Sequence, residues 1–388
     1  MHGKGKRFAV AVTVLVAVLA LAACGGDDES TGTTTAGGGA SQESAQAIVD
    51  NAKAVPTFAL EAPAIKAEDA KGKKIFAIPG ASANPFAATI VSEMHKIADQ
   101  LGIDFVDYAN NGTPSAWAQG VEQAIAQKAD VIVFAGGSDP ALVMPQLKRA
   151  YAAGITAVTA HYYEAGKVPQ EVQDLGVAHV MGPFNVAGRL LVNYAFADRG
   201  EDLYPLIVTS KEAAPSDGMV ASMEEELAQV CPACKAEVLN VPIPDWATKM
   251  SSAVASKLGA NPSINYILPL YDSMSINVAA GVQSAGKAGD APIASFNGTP
   301  AILKMIQDGD LVVAVAGESL SWIAYATMDQ SLRLMLGEDP IPDGENNTML
   351  PLRIFDDLNV DEAGTPPDSA QGYGDAHVAG YEKLWGLD

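Results

Sequence analysis

The sequence predicts an α/β fold of two doubly wound parallel-sheet lobes, and three observations lead there. Short apolar runs alternate with helical patterns between residues 74 and 336, the mark of successive strand–helix units. Val131–Ala135 is apolar throughout, as a strand buried on both faces of a parallel sheet must be. Roughly 340 residues form the body of the 388-residue chain, more than one hydrophobic core comfortably organises, so two lobes follow.

The elements fall in order. Lys74–Pro79 reads as the first strand, closed by a Pro-Gly turn, and is followed by helix Pro85–Leu101 and strand Asp104–Tyr108. Helix Ser115–Gln127, strand Val131–Ala135, helix Pro140–Ala153 and strand Thr156–Ala160 continue the series. After Gly182-Pro183 a second series begins with helix Val186–Ala197, strand Leu206–Thr209, helix Gly218–Gln229 and strand Ala236–Val241. Helix Ala247–Leu258, strand Tyr266–Leu270, helix Met274–Ala285 and strand Ile293–Phe296 come next. Helix Pro300–Gln307, strand Leu311–Ala316 and the long helix Trp322–Leu336 complete it.

Ligands of such sheets sit beyond the carboxyl ends of the strands. Those loops are Gly80–Phe86, Gly136–Asp139, His161–Glu164, Ser210–Asp217, Pro244–Trp246, Tyr271–Ser273 and Asn297–Thr299, with Gly182-Pro183 and Gly317–Ser319 between lobes. They are rich in aromatic and neutral polar residues and carry no glycine-rich phosphate fingerprint. The chain holds 24 Lys and Arg against 46 Asp and Glu, a net −22, which argues against a nucleic-acid partner and against lying on an anionic membrane surface.

The start of the chain is an address. Lys4, Lys6 and Arg7 precede an apolar run from Phe8 to Ala20, shorter than the roughly 20 residues of a membrane span. Leu21-Ala22-Ala23-Cys24 follows. A basic start, an apolar middle and small residues before a cut mark an export signal. The Leu-Ala-Ala-Cys run resembles the lipobox of bacterial lipoproteins. That resemblance implies a signal peptide over 1–23 and a diacylglycerol on the Cys24 thiol, tethering the protein to a membrane. Losing three basic residues with the signal takes the net charge from −22 to −25. Residues 24–45, dominated by Gly, Ser, Thr, Asp and Ala, read as a flexible linker that cannot bury enough surface to order itself. The expected location is extracytoplasmic, and the lipid anchor favours a Gram-positive cell surface.

Two cysteines remain, Cys231 and Cys234 in Cys-Pro-Ala-Cys. Outside the cell they suggest a disulfide. They follow the helical stretch Ala221–Val230, and a helix C-terminus disfavours the thiolate that a thioredoxin-like pair needs. A structural clamp on a helix-to-strand turn is the better reading. Zinc would need about four ligands and no neighbouring His or Cys supplies them, so no metal is expected.

The order of elements resembles the type I periplasmic binding proteins, in the ribose- and galactose-binding branch of sugar ABC transporters. Ala83-Asn84-Pro85-Phe86, Ala129-Asp130-Val131-Ile132-Val133, Ala153-Gly154-Ile155-Thr156-Ala157-Val158 and Ser295-Phe296-Asn297-Gly298-Thr299-Pro300 carry the resemblance, over about residues 72 to 355. It implies two lobes joined by three hinge crossovers and closing on a ligand. The N-terminal lobe would take 72–181 and 318–347, and the C-terminal lobe 184–315 and 349–388. Hinges would fall near Gly182-Pro183, Ala316-Gly317 and Thr348-Met349.

The resemblance also places ligand-binding residues. Asn84 and Phe86 match the family's Asn-Pro-Phe motif, the amide for a hydroxyl and the ring for a sugar face. Trp246 takes the aromatic position of the opposite lobe, although it would equally cap and pack its own helix. Much of the polar ring is exchanged. His161 and Tyr162 stand where the family has Asp-Arg, Asp217 where it has arginine, and Tyr271 and Asp272 where it has asparagine and aspartate. Asn297 replaces an aspartate, and Gly317 with Glu318 stands at a glutamine position. Asp217 also reads as a first-turn acid, Asp272 as an N-cap and Glu318 as a cap of the next helix. Without its arginines the pocket does not suit a phosphate or carboxylate.

No serine-hydrolase elbow and no His-Glu-x-x-His occurs, and a signal peptide stands where a helix-turn-helix would begin. The expectation is a non-enzymatic, monomeric substrate-binding lipoprotein of an ABC importer. Its ligand would be a sugar or sugar-like molecule, its partner a membrane permease, and it would need no cofactor. A sensor presenting ligand to a membrane receptor, or a binder of a nucleoside or amine-bearing ligand, is the alternative.

Overall fold

A computed structural model describes residues 41–164, 166–342 and 350–387. The signal peptide, Cys24, the linker as far as residue 40 and the hinge at Thr348-Met349 lie outside the described residues. Helix α1 (Gln42–Ala52) comes first, capped by Ser41. The linker expected to reach residue 45 therefore gives way to helix at Gln42. Only Ala45 and Val49 of α1 are buried, too weak a stripe to read as a helix.

The first sheet contains β1 (Lys74–Pro79), β2 (Asp104–Asp107), β3 (Val131–Ala135), β4 (Thr156–Ala160) and β5 (Ala178–Val180). Its order is β2-β1-β3-β4-β5, every pair parallel. Between its strands run α2 (Pro85–Leu101), α3 (Pro114–Ala126), α4 (Met144–Ala152) and the short α5 (Gln170–Leu175). The apolar run of β3 is buried at every position. Helix α2 begins where the Asn84 side chain accepts the Phe86 N–H and Pro85 takes the first position. It ends at Gly102, whose φ of 68° is left-handed. The stripe Ile90, Val91, Met94, Ile97 and Ala98 is buried in the first-lobe core. Each fully buried large aliphatic there contributes about 1.5–3 kcal/mol.

The second sheet contains β6 (Pro205–Thr209), β7 (Glu237–Asn240), β8 (Tyr266–Pro269), β9 (Ile293–Asn297), β10 (Val312–Glu318) and β11 (Leu352–Asp356). Its order is β11-β10-β9-β8-β6-β7, parallel except for β11, which runs antiparallel to β10. Helices α6 (Phe184–Arg199), α7 (Ser216–Val230), α8 (Trp246–Ala260), α9 (Ser275–Ser284) and α10 (Pro300–Gln307) cover it. Cys231 and Cys234 are joined by a disulfide where α7 ends.

Helix α11 (Leu320–Leu336) returns to the first lobe, where it meets α2, β4 and β5. It starts where the Ser319 hydroxyl accepts the Trp322 N–H. Ala316-Gly317, expected as a hinge, instead lies inside β10, because β11 pairs with Ala314 through Glu318 and extends the strand. The crossing comes at Ser319.

The termini add two passages that the sequence did not announce. Helix α1 packs on α6 and β11 of the second lobe, where Lys53 reaches Asp356 at 2.6 Å. The chain then crosses, and Leu60, Ile65, Ala67 and Ala70 enter the first-lobe core. At the other end α12 (Ala376–Leu384) packs on α11, with Tyr381 and Trp385 in that same core. The second lobe therefore does not run to residue 388, because α12 finds its apolar partners on the first. Phe58 stacks with Trp322 at 6.2 Å and meets Tyr381 edge-on at 5.0 Å. Arg353 ties both passages together, donating to the carbonyls of Lys53 and Gly372 and pairing with Glu362 at 2.8 Å.

Candidate functional site

The carboxyl ends of β4, β9 and β10 meet at the boundary of the two sheets. His161, just beyond β4, donates from Nε2 to Glu318 Oε2 at 2.7 Å. Asn297, the last residue of β9, donates from Nδ2 to Glu318 Oε1 at 2.8 Å. Glu318 ends β10 and is 1 % exposed. Both of its oxygens are thus committed to partners from two lobes, as a buried carboxylate requires. His161 and Asn297 hold φ of 55° and 119°. Such backbone strain is characteristic of functional sites.

An aromatic wall surrounds this group. The His161 ring lies 5.0 Å from Phe86, 4.9 Å from Phe184 and 6.1 Å from Phe296. Phe86 is half-buried, whereas Phe184 and Phe296 are buried. Gly317 has no space for a side chain, since a Cβ there would run into the Tyr373 hydroxyl and the Phe355 ring. The hinge side chain that the resemblance led one to look for is replaced by a tyrosine from the C-terminal passage.

The remaining predicted residues are placed as follows. Asn84 commits Oδ1 to the Phe86 N–H at 2.9 Å. Tyr162 donates to Asp139 at 3.3 Å, sharing that carboxylate with Tyr163 at 2.5 Å. Tyr271 is buried, its hydroxyl 3.0 Å from the Ser216 hydroxyl. Trp246 begins α8, and its indole N–H goes to Ser210 Oγ at 2.7 Å and the Val241 carbonyl at 3.1 Å. Asp217 is exposed in the first turn of α7. The structure therefore joins His161, Asn297 and Glu318 to Phe86, while Trp246 is anchored within its own lobe and Asp217 faces water.

Asp272 is buried and accepts the Thr299 N–H at 2.6 Å, holding the loop that follows Asn297. Burial pushes its carboxyl up to about 6, against the pull of the Thr299 and Gly298 hydrogen bonds. A carboxyl raised in the folded state contributes stability that is full below its unfolded value, about 3.9, and lost as pH rises through its folded value. Asp272→Asn is neutral throughout. The stability gap should move in the variant's favour by roughly 2 kcal/mol between pH 4 and 7. Denaturant midpoints at the two pH values check this, and a constant gap would refute it.

Sequence reasoning missed Phe184, and named Asp139, Tyr163 and Glu164 only as members of the loops Gly136–Asp139 and His161–Glu164. The signal for Phe184 was its place directly after Gly182-Pro183, and for Asp139 its place at the carboxyl end of β3. Among the described residues no helix is long and apolar enough to cross a membrane. None of their His, Cys, Asp and Glu side chains forms a group of three or more able to hold a metal ion.

The chain is similar to known proteins. A periplasmic binding protein domain matches residues 75–339. The D-ribose/D-allose-binding protein of Pseudomonas aeruginosa is 26% identical over 288 residues, spanning 71% of this chain and 86% of that protein. An ABC transporter solute binding protein from Agrobacterium vitis, solved with bound allitol, superimposes with a TM-score of 0.62 at 18% identity, covering 76% of this chain and 98% of that one. The 5-methylthioribose transporter solute binding protein of Thermotoga lettingae, solved with 5-methylthioribose, gives 0.63 at 17% identity, covering 83% and 95%. Two mostly parallel sheets, an interlobe cluster at their carboxyl ends and a family match over most of the body lead to one conclusion: the chain belongs to the periplasmic binding protein family.

Proposed function

We propose that this protein is the extracytoplasmic substrate-binding lipoprotein of an ABC importer, capturing a sugar or sugar-like molecule between its lobes and delivering it to a membrane permease. The observation that carries the reading is the interlobe cluster itself. His161, Asn297 and Glu318 bring directional polar groups to a place walled by Phe86 and Phe184. Flat rings bury the C–H faces of a sugar while polar groups meet its hydroxyls. The names of the relatives, a ribose/allose binder and proteins solved with allitol and 5-methylthioribose, support the same class. Acylated Cys24 would keep the domain beside its permease, as one monomer on the cell surface.

A thermal-shift screen tests this. D-ribose, D-allose, allitol and 5-methylthioribose are run against nucleosides and amines. A compound that binds only the folded protein adds about 2.7 kcal/mol at a hundredfold excess over Kd. At least one sugar or polyol should raise the Tm; a shift given only by nucleosides or amines, or by none of the compounds, rejects the reading. Trp246 supplies a second check. Its indole N–H is spent on Ser210 and Val241, so only the ring is free to meet a ligand. Trp246→Ala should weaken binding of the compound found by more than about tenfold, the worth of one stacked aromatic. The exposed Asp308→Ala should leave it unchanged, and equal calorimetric affinity in both variants removes Trp246 from the site.

A further inference from the structure

The second lobe holds a cavity at the amino end of its sheet, away from the cleft. It lies among α1, α6 and the sheet and has a volume of about 370 Å3, within the roughly 300–1,000 Å3 of small-molecule sites. Gln46 and Lys53 line it from α1, and Tyr194 and Asp198 from α6. Tyr266, the first residue of β8, and Pro292, just before β9, line it from the sheet. Asn297, which belongs to the cleft, ends that same β9. The two places therefore sit at opposite ends of one strand.

The polar groups of the cavity describe what would fill it. Tyr266 is fully buried, and its hydroxyl has no hydrogen-bond partner. Such a group is costly to leave unpaired. The Tyr194 hydroxyl reaches the Val313 carbonyl and Asp356 Oδ2 only at 3.5 Å, too long for a strong bond. Burial raises both phenols and neighbouring carboxylates raise them further, so each keeps its O–H to donate. The charged groups are in the opposite condition. Lys53 Nζ meets Asp356 at 2.6 Å, and Asp198 lies 3.3 Å from Arg199 Nε. Each charge has its counter-charge, so an ionic ligand would have to break a pair to be held. A hydroxyl both donates and accepts, and it completes a phenol while leaving both pairs intact. We propose that this cavity is a second binding site, taking a small uncharged hydroxylated molecule of polyol or monosaccharide size.

Occupation would act on α1. That helix buries only Ala45 and Val49, so little apolar surface holds it to the second lobe. A ligand touching both Gln46 and Tyr266 adds contacts that exist only while α1 is docked, and mass action then favours the docked state.

The inference is independent of what the cleft captures. Its test uses the full chain and reads hydrogen exchange of the α1 amides. Allitol, D-allose and glycerol are the uncharged probes; D-glucosamine and D-ribose 5-phosphate are the cationic and anionic ones. At least one uncharged probe should slow α1 exchange saturably, in wild type and equally in Phe86→Ala, whose change lies in the cleft. Tyr266→Phe keeps the ring and removes an unpaired hydroxyl, so without probe its Tm should match wild type. Its affinity for the probe should fall about fivefold, the worth of one hydrogen bond. Ala197→Leu fills the cavity from α6 and should abolish the protection. Protection by no probe, meaning a cavity that takes water alone, overturns the proposal. So does protection unchanged in both cavity variants, or lost in Phe86→Ala, which would assign it to the cleft. A charged probe that protects best overturns the uncharged class of ligand.

Discussion

Glu318→Ala is expected to lower stability by about 3–5 kcal/mol, the cost of removing one partner from a buried polar pair. The loss is compounded because two donors, His161 Nε2 and Asn297 Nδ2, would face an empty space. Both donors belong to residues with strained backbones, and the carboxylate is what rewards that strain. Glu318 also stands one residue before the crossing at Ser319, so its loss loosens the passage from β10 to α11. Glu318→Gln should fall between wild type and alanine, since its amide oxygen still accepts one of the two bonds. Guanidinium denaturation gives the stabilities and calorimetry the affinity for the compound found by screening. A stability within about 1 kcal/mol of wild type for the alanine variant would assign Glu318 no structural role.

Asp329→Ala should be about as costly, on the far side of the first lobe. Asp329 accepts Arg333 Nε at 2.8 Å and the Trp385 indole N–H at 2.9 Å, while Arg333 donates onward to the Pro63 carbonyl at 3.0 Å. One carboxylate therefore holds α11, α12 and the N-terminal passage together. Its removal leaves a guanidinium 2 % exposed without a counter-charge, an expected loss of about 3–5 kcal/mol. The exposed Lys304–Asp308 pair serves as control, with under about 1 kcal/mol expected from its removal. If the two losses prove equal, the network does not hold the C-terminal helix.

The parts of the fold legible in the sequence were those whose pattern answers to a single environment. β3 reads as a strand because both its faces are buried, and α2 because Asn84-Pro85 opens it and Gly102 closes it. The parts that escaped depend on distant partners. α1 buries two residues. β11 is an antiparallel addition at the sheet edge, not part of the alternation. α12 contains Gly380, which argues against a helix until one sees the Phe58 ring packed against it. In the site, the strand-end and interlobe loops contained His161, Asn297 and Glu318, and the family resemblance singled them out, although their mutual bonding needs three dimensions. Asp217 was named by its aligned position, and exposure follows from its place on the outer first turn. Glu164 entered only as the end of the loop His161–Glu164, and the arrival of α6 and α7 buries it.

The terminal passages bear on how the chain acquires its structure. Neither lobe is a continuous piece of sequence: the first-lobe core draws on Leu60 and Ile65, on the first sheet, on α11, and on Tyr381 and Trp385. Bonds such as Arg333 to Pro63 and Arg353 to Lys53 close separations of 270 and 300 residues. Loop-closure entropy must be met before such contacts reward it, so folding should be slow for the size of the lobes. A chain emerging from the N-terminus would have to hold its first sheet without the Trp385 side of the core until α12 had appeared. That delay keeps an emerging chain open, and it ties completion of the first lobe to arrival of α12.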